Sequence, residues 1–333
     1  MYISKSTIVL TVFFMFIFVF FQNAHSLEFY SVKSPCELIL INTDSNTLIP
    51  QGSVNHCIES FSFSPLGTLY ATVEKDQCMM HGSANTLVTL NPKTLDVAVI
   101  GVIGFEDVDA IAFDNNGTLY AVSADTDDLL RIDTDTGKGT VIGSVGYPFI
   151  STMAFSADNT LYAVDVTGDF GGASTLLRID KNTATTTKVG DIGIDTIEGI
   201  TFAQNGSLYG ISTIAENGGT GDLVEINIQT GKGTPIMNIV TSGALDGLVE
   251  KIDNCSIIDT DKDGVINQLD QCQNTPINSF VDNKGCKAEG IFINQSQSDT
   301  IVECMKNIIA ILDEIGLEDA IRALEISAGM KKK

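Results

Sequence analysis

Tryptophan is absent from the 333 residues, and histidine is confined to His25, His56 and His81. The first absence thins the stock of sugar-stacking platforms, and the second that of histidine bases and His-rich zinc sites. Basic residues are also scarce: 19 Lys and Arg stand against 42 Asp and Glu, a net charge of −23 spread along the chain. Nucleic-acid binding needs clustered cations to displace counterions from phosphates, so this balance argues against it. One long apolar run is present, from Ile8 to Phe21 (IVLTVFFMFIFVFF), preceded by Lys5 and followed by Ala24-His25-Ser26. A charged start, a short apolar stretch and a small-x-small end predict a secretory leader over residues 1–26. The run is shorter than the roughly 20 residues a membrane-spanning helix needs. An uncleaved anchor is the competing reading. No later run is long enough to cross a membrane, which predicts a chain that is secreted, periplasmic or held at the cell surface.

What the chain does have is repetition, which takes precedence over local assignments. Four copies of one hairpin recur: FSFSPLGTLYATV from Phe61, IAFDNNGTLYAV from Ile111, MAFSADNTLYAV from Met153 and ITFAQNGSLYGI from Ile200. Each alternates apolar and polar residues around a turn, the pattern of a β-hairpin. Two further strand-like runs follow each hairpin, such as LLRID from Leu129 and TVIGSVG from Thr140. Tyr70, Tyr120, Tyr162 and Tyr209 lie 50, 42 and 47 residues apart. Four strands per repeat of that length is the arithmetic of a β-propeller blade.

The ends of the region predict how the ring closes. Phe29–Val32, Leu38–Asn42 and Ile49–Val54 read as the second, third and fourth strands of a blade whose first strand is Leu245–Lys251. A five-bladed all-β propeller with this 3+1 closure is therefore expected over residues 27–252, with no sheet edge left open at the join. Glu250 stands where the four repeats have Phe63, Phe113, Phe155 and Phe202. This leaves room for an imperfect fifth blade, or for an open ring completed by another chain.

Aligning the inner strands exposes a recurrent acid: Glu59, Asp109, Glu198 and Asp246, with Ser151 as the fifth member. Inner strands converge on the propeller axis, so the acids would gather at one mouth of the channel. Like charges so close raise one another's pKa or recruit a cation. Two readings stay open: a channel-mouth cation or ligand site, or carboxylates that each cap backbone N–H groups of their own blade or a neighbour. Period-two parity places them on the face of the core residues, which favours blade-to-blade contact. The loops on that face are acidic as well (Glu106, Asp107, Asp125, Asp127, Asp128, Asp165, Asp169, Asp191, Asp195).

The sharpest metal motif runs from Asp259 to Asp270. Asp259, Asp261, Asp263, Asn267 and Asp270 present oxygens at positions 1, 3, 5, 9 and 12, Gly264 permits the bend, and Val265 adds a backbone carbonyl. Alternating carboxylates on a tight turn meet the six to eight oxygens that Ca²⁺ prefers, so Ca²⁺ is the expected cofactor. Seven cysteines, all after the leader, suit an oxidising compartment. Cys57 and Cys78 flank the first hairpin symmetrically and read as its staple, or, with His56 and His81, as a zinc site. Cys272 with Cys286, or Cys255 with Cys272, are rival pairings, and the odd count leaves at least one thiol free or intermolecular. Residues 298–330 switch to helical period, with Ile301, Met305, Ile308, Leu312 and Ile315 on one face before Gly316. A helical pair this small must dock, dimerise or be cleaved, so oligomers could form through it or through an unpaired Cys.

The repeat, apolar-x-Phe, turn, Leu-Tyr-Ala-Val and a strand ending Ile-Asp, resembles the secreted bacterial propellers of the YVTN and NHL type. The Asp259–Asp270 loop with its Cys272-x-x-Thr275-Pro276 and Val281-Asp282-x-x-Gly285-Cys286 frame resembles a thrombospondin type 3 repeat. That second resemblance implies a compact metal-wrapped segment over 253–290, leaving a linker and helices over 291–333. Together these features point to a secreted calcium-binding protein of the interaction or adhesion type. Its propeller would recognise an extracellular or envelope protein or a glycan. The alternative is a propeller hydrolase or lyase with a divalent cation at the channel mouth. No Ser-His-Asp set is visible.

Overall fold

The computed structural model describes residues 27–34, 36–65, 67–73, 84–166, 173–212 and 219–251. The Asp259–Asp270 loop, the cysteines after residue 57, the C-terminal helices and the leader lie outside these residues.

The described residues form twenty strands in five four-stranded antiparallel sheets. The first sheet holds β4 (Ile58–Phe63), β5 (Leu69–Val73), β6 (Ala84–Leu90) and β7 (Val97–Glu106). The second holds β8 (Ala110–Phe113), β9 (Leu119–Ser123), β10 (Asp128–Ile132) and β11 (Gly139–Ser144). The third runs through β12 (Ile150–Phe155), β13 (Leu161–Val166), β14 (Ala173–Ile179) and β15 (Thr186–Asp195). The fourth runs through β16 (Ile197–Phe202), β17 (Leu208–Ser212), β18 (Gly219–Ile226) and β19 (Gly233–Thr241). The fifth joins the two ends: β1 (Glu28–Lys33), β2 (Glu37–Asn42) and β3 (Thr47–Ser53) are completed by β20 (Leu245–Glu250), in the order β20-β1-β2-β3.

The inner strands touch in a closed cycle, β4 to β8 to β12 to β16 to β20 and back to β4. The molecule is thus a five-bladed β-propeller closed by 3+1 pairing, and no second chain is needed to complete the ring. The closing ladder pairs Phe29 with Glu250, Tyr30 with Val249 and Lys33 with Leu245. Backbone bonds from Lys251 N to Glu28 O (2.7 Å) and from Ser34 N to Ala244 O (2.9 Å) extend it at both ends. The side chains of Lys251 and Glu28 pair at the same join.

Between blades, apolar residues from facing sheets form five buried clusters, each shared by neighbouring blades. A repeated ring pair sits in this packing. Tyr70 meets Phe113 at 5.0 Å, Tyr120 meets Phe155 at 5.4 Å and Tyr162 meets Phe202 at 5.6 Å, all tilted or edge-on, the arrangement the ring quadrupole favours. Glu250 explains itself here. Tyr209 has lost its Phe on the next inner strand, and Phe29, which pairs with Glu250 across the ladder, supplies the ring instead at 5.2 Å. The Glu250 carboxylate meanwhile accepts the Gln204 N–H of the adjoining hairpin turn at 2.8 Å.

The turn between third and fourth strands has one design in all five blades. Asn42, Asn91, Asp133, Asp180 and Asn227 each turn a side-chain oxygen back onto an amide two or three residues on. Four residues after each comes a left-handed residue, Asn46, Leu95, Gly137, Ala184 or Gly231, the conformation that an Asx turn tolerates. These turns press on the outer strand of the preceding blade, where a bulge and a glycine make room. A Cβ built at Gly101 would lie 2.1 Å from Thr136 O, and one at Gly190 2.1 Å from Thr230 O.

Gly190→Ala therefore forces apart the third and fourth blades where they touch backbone to backbone. The expected loss is about 2–4 kcal/mol in chemical denaturation, and a variant as stable as the parent would contradict this close approach.

Candidate functional site

The recurrent acids occupy a special backbone position. In β4, β12 and β16 the ladder skips one residue, pairing Ile58 with Val73 and Ser60 with Thr72, Ile150 with Asp165 and Thr152 with Val164, and Ile197 with Ser212 and Gly199 with Ile211. The skipped residues are Glu59, Ser151 and Glu198. In β20 the irregularity follows Asp246, between the Val32–Asp246 and Tyr30–Val249 pairs, and Asp109 immediately precedes β8. A bulge leaves its extra residue unpaired and re-aims the side chain. Counting by twos from the core residues does not carry across these skipped positions.

Three of the four acids act on one another. Glu198 is pushed up to about 7 by burial, then by the charges of Asp246 and Asp109. Asp246 is pushed up to about 6 by burial and by Asp109. Both are only partly buried, so solvent still reaches them. Glu59 holds the equivalent place on β4, also partly buried. Ser151 turns its hydroxyl onto the Ile197 carbonyl at 2.7 Å, bridging to the strand that carries Glu198. Close approach of the backbones sets this geometry: a Cβ on Gly199 would stand 2.5 Å from the Gly247 carbonyl carbon.

Among the described residues no three His, Cys, Asp or Glu side chains stand close enough to share a metal ion. The axial acids can repel anions and bind protons, but they do not form a ready coordination shell. Cys57 is disulfide-bonded, so its sulfur is not a zinc thiolate, and the His56 ring is engaged with the Val54 carbonyl at 3.0 Å. Cys78, the expected partner, lies outside the described residues.

The acidic face differs from its sequence outline at Asp165. This residue is buried (2% exposed), whereas Asp107, Asp125, Asp127 and Asp128 are wholly or partly open to solvent. Beside it the loop of residues 146–149, between β11 and β12, holds Phe149 about half exposed, an aromatic surface on the acidic face. Sequence reasoning missed this residue because it falls in a linker outside the repeat. On the opposite, hairpin face a latch joins two blades. Lys181 pairs with buried Asp114 at 2.5 Å and lies over the rings of Tyr120 and Phe155.

The axial shifts carry a sign. A carboxylate raised by folding contributes stability that is complete below its unfolded pKa and is lost as pH rises through its folded value. For Glu198 and Asp246 that window runs from about 4 to about 7. Combining Glu198→Gln with Asp246→Asn should raise stability at pH 8 by on the order of 1–2 kcal/mol, after allowance for solvent screening at these partly buried groups. The same variant should flatten the fall between pH 5 and 7, as followed by thermal melts. A variant less stable than the parent at pH 8 would show that the acids make compensating contacts.

Among curated proteins no sequence matches this chain. Solved structures resemble it at low identity. One is a chain of a nidogen/laminin complex, 10% identical over 68% of this chain and 98% of that one, with a TM-score of 0.48. Another is a protein of unknown function from Bacteroides caccae, 14% identical over 68% of this chain and 100% of that one, at 0.46. A third, from a study of the evolutionary emergence of a symmetrical protein, is 16% identical over 68% and 99%, at 0.43. Likenesses this distant carry no functional argument. The family model that matches is Tachylectin, over residues 43–219, rather than the YVTN or NHL type that the repeat resembles. The match covers just over half of the 333 residues and runs from β3 into β18; on that evidence the chain belongs to the Tachylectin family.

Proposed function

We propose that this chain is an exported lectin-type protein whose propeller binds glycans and whose segment 253–290 binds Ca²⁺. The observation that carries the glycan reading is the Tachylectin match, which lies on the blades themselves. The architecture supports it. Five copies of one radial unit repeat the same turns and inter-blade seams around an axis, and such repetition converts weak sites for a small polar ligand into avid attachment to a surface that displays many copies. With no Trp in the chain, aromatic contact with a sugar ring would fall to residues such as Phe149, which the fold leaves open on the acidic face. The enzyme reading has less support, since a cation at the channel mouth would need a shell of ligands that the described residues do not assemble.

Screening the full chain on a glycan array should give selective binding to a restricted set of terminal sugars. Absence of binding to any glycan, with the protein folded, would overturn the lectin reading.

The calcium reading rests on the spacing of Asp259, Asp261, Asp263, Asn267 and Asp270, with the Val265 carbonyl. Ca²⁺ in this segment would act as a structural staple, because a stretch this short has little core of its own. Calorimetric titration of the full chain should show uptake of Ca²⁺ that is lost in the Asp261→Ala, Asp263→Ala double variant. Equal uptake by parent and variant, or none by the parent at millimolar ion, would remove the metal claim.

A further inference from the structure

Among the described residues, Asp165 is the one carboxylate on the acidic face that the fold buries, at 2% exposed. It ends the Leu-Tyr-Ala-Val run of β13 at the position held by Ser123 on β9 and Ser212 on β17. Those serines are buried too, at 0% and 2%. The Ser123 hydroxyl donates to the Glu106 carbonyl at 2.7 Å, at the end of β7 just before the loop into β8. Ser212 donates to the Asp222 carbonyl at 3.4 Å and accepts the Asp222 N–H at 2.8 Å. The same place is held by Val73 on β5, buried at 4%, and by Lys33 on β1, so it takes an apolar group or, in two sister blades, a hydroxyl that can give a proton.

An ionised Asp165 cannot give one. Its Oδ1 is buried without a hydrogen-bond partner, and the carboxyl takes the Phe149 N–H. The hydroxyl of Thr175, its cross-strand neighbour, is committed to Asp191 Oδ1 at 3.2 Å. The packed elements offer little positive charge. β12 has no titratable side chain, β14 has Arg178 engaged with Tyr162, and β16 brings Glu198. The β9–β10 turn brings Asp127, whose like charge acts on Asp165, and the β11–β12 loop brings Tyr147. A buried anion with an orphan oxygen and no counter-ion among the described residues is costly, whereas the neutral acid carries an O–H donor of its own.

The acceptor is at hand. Ala124 N bonds to Asp107 O and Val166 N bonds to Phe149 O in corresponding places. The counterpart of the Glu106 carbonyl is thus that of Pro148. We propose that Asp165 is held in the folded propeller as a neutral carboxylic acid whose O–H replaces the Ser123 and Ser212 hydroxyls, and that loss of this proton loosens the 146–149 loop that presents Phe149. The site is a proton-operated control on one loop of the acidic face. Burial pushes the Asp165 carboxyl up, the Phe149 N–H opposes this, and Asp127 adds to it. The stability that the acid contributes is complete below the usual Asp range and is lost as pH rises through its folded pKa. As a control on ligand binding the device rests on the lectin reading; as a protonation it does not.

The test uses the full chain with ¹³C-labelled aspartate carboxyls, together with Asp165→Ser and Asp165→Asn. Besides that of Asp246, pushed up to about 6, one aspartate carboxyl resonance at pH 6 should have the shift of a neutral acid and should vanish in both variants. Asp165→Ser keeps a hydroxyl donor without a charge to lose. Between pH 5 and 8 the parent's melting midpoint should fall against that of Asp165→Ser by about 3 °C or more. If the serine variant does not fold, Asp165→Asn serves as the reference for the same comparison. A set of aspartates fully ionised at pH 6 apart from Asp246, or parent and reference midpoints that run parallel, overturns the proposal. If the resonance and the midpoint difference hold while no glycan binds at any pH, the lectin reading fails and the protonation stands.

Discussion

The structure depends on the ladder between β20 and β1. A propeller is a sheet arrangement bent into a ring, and a ring built from one chain has two ends that must meet. Without the Phe29–Glu250 and Lys33–Leu245 pairings, the fifth blade would lack its inner strand. β4 and β16 would then face a gap, and the cycle of inner-strand contacts would open. Everything at the axis follows from this closure. Asp246 is delivered to the mouth by the closing strand itself, and it meets Asp109 and Glu198 only because the ends have come together.

The cost of that convergence is electrostatic. Five copies of an inner strand carry their equivalent positions toward one axis, so an acid tolerable on a single blade becomes one of a crowd. Ser151 lightens the crowd by one charge, and its hydroxyl is spent on the neighbouring strand. The rest is absorbed by protonation equilibria, with Glu198 and Asp246 lifted toward neutrality. Glu250 belongs to the same economy. Burial drives it up to about 7 although it accepts the Gln204 N–H, so the seam between fourth and fifth blades adds a carboxylate contact to the Tyr209–Phe29 ring pair.

Blade number, strand order and the mode of closure were legible in the sequence because each is written in repetition: Leu-Tyr-Ala-Val recurs, and a blade missing its first strand at one end is answered by a lone strand at the other. The register shifts at Glu59, Ser151 and Glu198 were not legible, since a bulge adds a residue to one strand without any mark in the apolar alternation. Nor was the role of Glu250. Its ring is restored by Phe29, more than two hundred residues away in sequence, and only the ladder register brings the two side by side. Asp165 counted as one more surface acid for a related reason. Its counterparts on β9 and β17 are serines, and the difference between a hydroxyl and a carboxylate at that place becomes meaningful only once burial and the nearby carbonyls are known.

Asp165 and the axial acids show two ways in which one fold handles negative charge. At the axis the groups are mutually visible and partly wet, so their protons are shared among several sites and titrate as a set. At Asp165 one group is sealed off, its neighbour Asp127 has the same sign, and the orphan oxygen sits where sister blades place a donor. The axial set can relieve strain by small exchanges with solvent. The sealed group has no such route, so its proton is tied to the local packing and its loss must be met by movement of the loop above it. In a chain this acidic, that is the physical reason for one loop of the face to respond to pH separately from the ring beside it.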